Sequence, residues 1–188
     1  MARLVANRRG FTLVELMMVV AIVAILAAMA IIGVRKYVSH AKTAEVTNAL
    51  GQITKDVTSA YVRDQMAGSV LALHGSAQKS NQLCESGPAV PSSPTAIAGR
   101  KYQSRPVEWS NGWQCLRFAI QDPQYYRYEY VVTGTGADAN DTFQVKGTGD
   151  LDGDGITSRF IFHGALVQDG SDIALVTGPN ISETNPEE

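Results

Sequence analysis

The sequence predicts an α+β fold: one long N-terminal helix, half membrane-spanning and half amphipathic, packed against a C-terminal antiparallel sheet of about four strands. Three observations carry this. From Leu16 to Val34, 19 residues pass without a charge or a strongly polar group. Beyond them apolar residues recur in steps of three and four to Tyr61. From residue 112 onward the apolar residues alternate instead, which is the period of strands.

The apolar run comes first. Nineteen helical residues rise about 28 Å, close to the ~30 Å of bilayer hydrocarbon. A helix is the one single-segment structure that satisfies its own backbone in lipid. Arg3, Arg8 and Arg9 precede the run with no acid among the first ten residues, which favours a cytoplasmic N-terminus. An ordinary secretory signal has a shorter apolar stretch and a small-residue cleavage site after it. Here the small residue, Gly10, stands before the run. Glu15 sits at its edge, where a carboxylate either reaches the interface or has a partner in lipid.

The amphipathic half follows. Val46, Ala49, Leu50, Ile53, Val57, Ala60 and Tyr61 form one stripe, and Lys42, Glu45, Gln52, Lys55 and Asp56 stand on the other face. The whole helix is expected from about Phe11 to about Met66, roughly 80 Å, with Gly68 as its C-terminal cap. Residues 69–111 hold Gly87, Pro88, Pro91 and Pro94 and read as loop. Strands are expected at Trp113–Gln121 and Tyr125–Thr133, joined by a turn at Asp122-Pro123-Gln124, then at Thr142–Thr148 and Ser158–Gly164. An edge strand around Ile173–Thr177 would precede an acidic tail. Tyr125, Tyr126, Tyr128 and Tyr130 make the second of these a dense aromatic strand, read as sheet packing and intersubunit surface.

Charge and composition exclude several function classes. Hydrophobic residues are 45% of the chain and charged ones 18%, the deficit lying in the one apolar run; this excludes a multi-span membrane protein and a disordered chain. Of the 16 basic side chains three lie in the first ten residues, leaving 13 against 18 acidic ones. A net-acidic body disfavours nucleic acid as a partner. The histidines, His40, His74 and His163, have no metal-ligand spacing. No phosphate loop or nucleophile motif occurs, so no enzymatic activity is expected. Cys84 and Cys115 both follow the apolar run, and a disulfide between them is expected if that part lies in an oxidising compartment.

The segment Gly10-Phe11-Thr12-Leu13-Val14-Glu15-Leu16, between a short basic leader and a long apolar helix, resembles the prepilin signature of type IV pilins and pseudopilins. The resemblance covers the first 36 residues in detail. It implies a leader at 1–10, a transmembrane and filament-core helix at 11–35, and a periplasmic or extracellular head at 36–188. It implies cleavage between Gly10 and Phe11 by a prepilin peptidase, which also methylates the Phe11 amine. It implies polymerisation of the chain with itself, aided by an inner-membrane assembly platform and minor pilins, with Glu15 of one subunit pairing with the Phe11 amine of the next. The function implied is that of a structural subunit of a surface pilus, for adhesion or twitching motility. The alternatives in the same class are a type II secretion pseudopilin and a minor pilin; in another class stands a membrane-anchored calcium-dependent adhesin or DNA-uptake receptor. Ala24 and Ile32 stand where many pilins carry Gly and Pro, leaving Gly33 as the remaining helix breaker.

One further motif carries chemistry. Asp150, Asp152 and Asp154 alternate, with Gly155 after the third, as at the opening of an EF-hand-type calcium loop. Ser158 falls where a water-mediated ligand would sit, but Ile161 stands where a bidentate Glu should close the site, so Asp138 and Asp141 would have to help. Calcium is therefore an optional ligand and no cofactor is required; the competing reading is an Asp-Gly turn.

Overall fold

The computed structural model describes residues 10–63 and 81–186. It divides into two compact units, Met1–Val38 and Ser39–Glu188. Helix α1, Leu13–Val62, runs through both. The expected helix end near Met66 and the Gly68 cap, together with His74, lie outside the described residues.

Among the described residues of the first unit, the apolar side chains are exposed. Leu13, Met17, Ile25, Met29 and Ile32 are all more than half exposed. In the second unit the stripe has found its core: Val46, Leu50, Ile53, Thr54, Val57, Ala60 and Tyr61 are buried. Thr54 is the polar exception, and its hydroxyl donates to the Leu50 carbonyl one turn back at 2.8 Å.

As expected the sheet is antiparallel, and among the described residues it has six strands, where the sequence predicts about four and an edge strand: β1 (Gly87–Val90), β2 (Tyr126–Thr133), β3 (Thr142–Gly149), β4 (Ser158–Asp169), β5 (Asp172–Thr177) and β6 (Ser182–Thr184). The order is β1-β2-β3-β4-β5, with β6 also on β4. β1 hides among Gly and Pro because it is a short edge strand, where a proline without a donor is tolerated. β5 pairs with β4 at residues 164–169 and β6 with residues 159–161. They form one edge interrupted at 178–181, where the Gly178 amide still reaches the His163 carbonyl.

The expected strand at Trp113–Gln121 is a correction. Gly112–Leu116 is a short helix, α2, closed by Arg117 in the left-handed region at φ 61°. The alternation of Leu116, Phe118 and Ile120 is real, since all three face the core. The backbone there is set by tertiary contacts instead. Cys115 is bridged to Cys84, with Cα atoms 5.9 Å apart. A side chain at Gly112 would collide with the Glu85 carbonyl. Trp113 sinks between them, its indole nitrogen donating to the Pro88 carbonyl at 2.7 Å. The Asp122–Gln124 hairpin turn is also absent, and Gln124 bridges to Tyr102 instead.

β2 lays Tyr126, Tyr128 and Tyr130 under α1, all fully buried. So their role is packing, and these three are not surface residues. Room for them comes from glycines on the facing strand: a Cβ at Gly147 would strike Val46, and one at Gly149 the Tyr126 ring. Among the described residues the three hydroxyls are buried without a hydrogen-bond partner, and burial raises all three phenol pKa values.

Tyr125 remains partly exposed, with Lys42 and Lys101 each 4.8 Å from its ring centroid. Its amide donates to Glu45 Oε1 at 2.8 Å, tying α1 to the start of β2. Burial pushes the Glu45 carboxyl above the ordinary glutamate range, against the amides and Lys101 that lower it. A raised folded-state value means that the folded chain holds its proton longer. The stability from that proton is full below the ordinary value and lost as pH rises through the raised one. Glu45→Gln should therefore flatten this part of the stability-pH curve above the ordinary glutamate value. Denaturant titrations of both proteins across pH 4–7 check it; parallel curves would show that Glu45 does not contribute.

Candidate functional site

The N-terminal site is built on the first turn of α1. Thr12 precedes the helix and Glu15 is its third residue, the spacing of a capping box. Glu15 Oε2 accepts from the Thr12 amide at 2.9 Å and from its hydroxyl at 2.8 Å. The Thr12 hydroxyl in turn accepts from the Glu15 amide at 3.2 Å. So Glu15 has a partner within its own chain. The sequence signal, Thr-x-x-Glu ahead of an apolar run, was available and carries a role that the resemblance does not include. Phe11 is exposed next to this cap, and a side chain at Gly10 would meet nothing within 4 Å.

Behind the cap, α1 contains a stretch long and apolar enough to cross a membrane, none of it buried. Residues 5–31 match the family model of the prokaryotic N-terminal methylation motif, the prepilin signature of type IV pilins and pseudopilins. The match supports a pilin-like or pseudopilin protein, a structural class and not an enzyme family. No curated protein and no solved structure matches the chain.

The second candidate is the β3–β4 connection. Asp150, Asp152 and Asp154 each bring one carboxylate oxygen within 4.8 Å of the others. Asp150 is buried, the other two exposed. The loop's own backbone holds these groups. Asp150 accepts from the Gly153 amide at 2.7 Å and the Gly155 amide at 3.2 Å. Asp154 accepts from Ile156 at 2.7 Å. Gly153 and Gly155 have φ of 82° and 92°, which is why glycine stands at both.

The helpers expected from the sequence are elsewhere. Asp138 and Asp141 lie before β3 and the Asp loop after it, so eight extended residues separate them, about 26 Å. Asp141 organises its own loop, accepting from Thr135, Ala137 and Asp138. These amides and the hydroxyl hold its carboxyl below the ordinary aspartate range. Ser158 is buried and donates to the Gly149 carbonyl. Ile161 pairs with Lys146 on β3. Among the described residues, the side-chain oxygens that converge at the loop come from these three carboxylates, and calcium takes six to eight oxygens in all.

Proposed function

We propose that this chain is a prepilin, cleaved between Gly10 and Phe11, methylated at the Phe11 amine, and polymerised with its own copies into a type IV pilus for adhesion or twitching motility. The methylation motif at residues 5–31 carries the reading. The unpartnered apolar half of α1 supports it, because that surface needs lipid before assembly and neighbouring helices afterwards. The chain would cross the inner membrane once and then leave it as part of an extracellular fibre. Prepilin peptidase and an inner-membrane assembly platform with minor pilins are its partners in this reading. The same methylation motif is compatible with a second reading, a pseudopilin whose periplasmic filament serves type II secretion. A membrane-anchored adhesin or DNA-uptake receptor is a different class. Sheared filaments separate these: a major pilin makes up most of their mass, and a receptor or tip subunit a trace.

Processing gives the direct test. A Cβ at Gly10 meets nothing within 4 Å among the described residues, so the effect of Gly10→Trp is expected at the peptidase. We expect full-length protein retained in the membrane and no filaments. Mass spectrometry of wild-type filaments should find methylated Phe11 as the first residue. An intact leader there would overturn the reading.

In this proposal the Asp loop takes calcium weakly, with a dissociation constant no better than ~10⁻⁴ M, the range of extracellular modules. Binding at one hundred times that constant would stabilise the head by about 2.7 kcal/mol. Melting curves of the full chain in detergent, with chelator, millimolar calcium or magnesium, should show a calcium-specific rise. Loss of that rise in Asp152→Asn/Asp154→Asn is expected; an equal rise in the variant reduces the loop to a turn.

A further inference from the structure

The sheet face turned away from α1 carries a row that no local motif contains. Strand pairing sets Arg127, Thr148, Arg159 and Thr184 in register across β2, β3, β4 and β6. Adjacent strands lie about 4.8 Å apart, so the two arginines start about 10 Å apart with a hydroxyl between them. Neither makes an ion pair among the described residues.

At the Arg127 end the row meets a cleft of about 480 Å³ between the turn at residues 94–98 and the Asp loop. Pro94, Ile97, Arg127, Thr148, Asp154 and Thr157 are among its lining. The two loops are tied together, the Gly99 amide donating to the Asp150 carbonyl at 2.8 Å. Arg127 is held as well: its Nε donates to the Pro91 carbonyl at 3.0 Å. Among the described residues its terminal nitrogens make no hydrogen bond or ion pair.

The donor and acceptor inventory narrows what that is. A guanidinium only donates and prefers a carboxylate or phosphate. Asp154 only accepts, so it wants hydroxyls. The threonines do either, and the exposed Pro94 offers C–H surface to a ring. We propose that this cleft binds an acidic saccharide of the uronic acid class, its carboxylate on Arg127 and its hydroxyls on Thr148, Thr157 and Asp154. The volume suits one or two sugar rings. Asp150 and Asp154, both in the lining, repel an anion, which directs the carboxylate toward the arginine. The binding step does not rest on filament formation. If the chain polymerises as proposed above, the site repeats with each subunit, and weak single sites gain avidity for an acidic polysaccharide.

The test is calorimetric titration of the full chain in detergent micelles with chelator present, using digalacturonate and its neutral methyl ester. We expect saturable binding of the acid and at least tenfold weaker binding of the ester. Arg127→Gln and the near-isosteric Thr148→Val should each weaken the acid at least tenfold, with unchanged melting of Thr148→Val showing that the fold persists. Equal binding of acid and ester, full affinity in Thr148→Val, or tighter binding of a free amino acid than of the sugar would each overturn the proposal. Failure of filament formation alone would leave this titration unchanged, so the two readings fail separately.

Discussion

Glu15→Gln should be cleaved at Gly10 normally and yet yield less than a tenth of the wild-type filament mass. The variant separates two jobs of one carboxylate. Glutamine keeps an oxygen for the Thr12 amide and hydroxyl, so the capping box survives. It loses the charge that would pair with a neighbour's Phe11 amine. Magnitudes tell the jobs apart. A lost helix cap costs about 1 kcal/mol, a few-fold effect. A buried amine left unpaired costs about 3–5 kcal/mol, roughly a hundred-fold to several thousand-fold at each interface. Glu15→Ala removes both and should be no better than Glu15→Gln. The measurement is sheared-fibre yield against total processed subunit. Wild-type yield from Glu15→Gln, with failure of Glu15→Ala, would leave the cap as the whole role of Glu15.

Replacing both cysteines, Cys84→Ser with Cys115→Ser, should lower stability by about 3–4 kcal/mol. Their sequence separation is 31, and the chain-entropy model gives that figure for a loop of this length. For a head of this size the melting temperature should fall by roughly 10 °C. The bridge does more than shorten the unfolded chain. It fixes α2 so that Trp113 stacks edge-on with Trp109 at 5.1 Å and lies 5.7 Å from Phe118. Near-ultraviolet circular dichroism should therefore lose tryptophan signal in the variant well before the sheet melts. A loss below 1 kcal/mol, or an unaltered tryptophan spectrum, would count against this anchoring role.

How much could be read from the sequence follows from how local each signal is. The stripe from Val46 to Tyr61 is legible because one helix repeats its own period. β2, β3 and β4 are legible because Tyr126, Phe143, Val145 and Phe160 alternate within single strands. α2 is misread because Leu116, Phe118 and Ile120 satisfy alternation while the bridge and Trp113 set the backbone. β6 is missed because Ser182, Glu183 and Thr184 bury nothing, and pairing to β4 alone makes them a strand. The sites divide likewise. Gly10, Phe11, Glu15 and the Asp loop are contiguous motifs, visible at once. Arg127, Thr148 and Arg159 are separated in sequence and meet only through register. The failure of Asp138 and Asp141 to reach the Asp loop is a matter of register too.

The interrupted edge formed by β5 and β6 has a consequence for self-recognition. Thirteen residues, 172–184, run along the outer side of β4. Were they one straight strand, they would offer unpaired amides and carbonyls to an identical edge, and copies crowded in a membrane would adhere through their sheets. The break at Gly178-Pro179-Asn180-Ile181 divides that template into pieces of six and three residues, and Pro179 has no donor to give. Such an edge is a poor nucleus for cross-β stacking. In the filament proposed above, contact between copies would then fall to the exposed helices, whose packing would end in an ordered fibre and not in an aggregate.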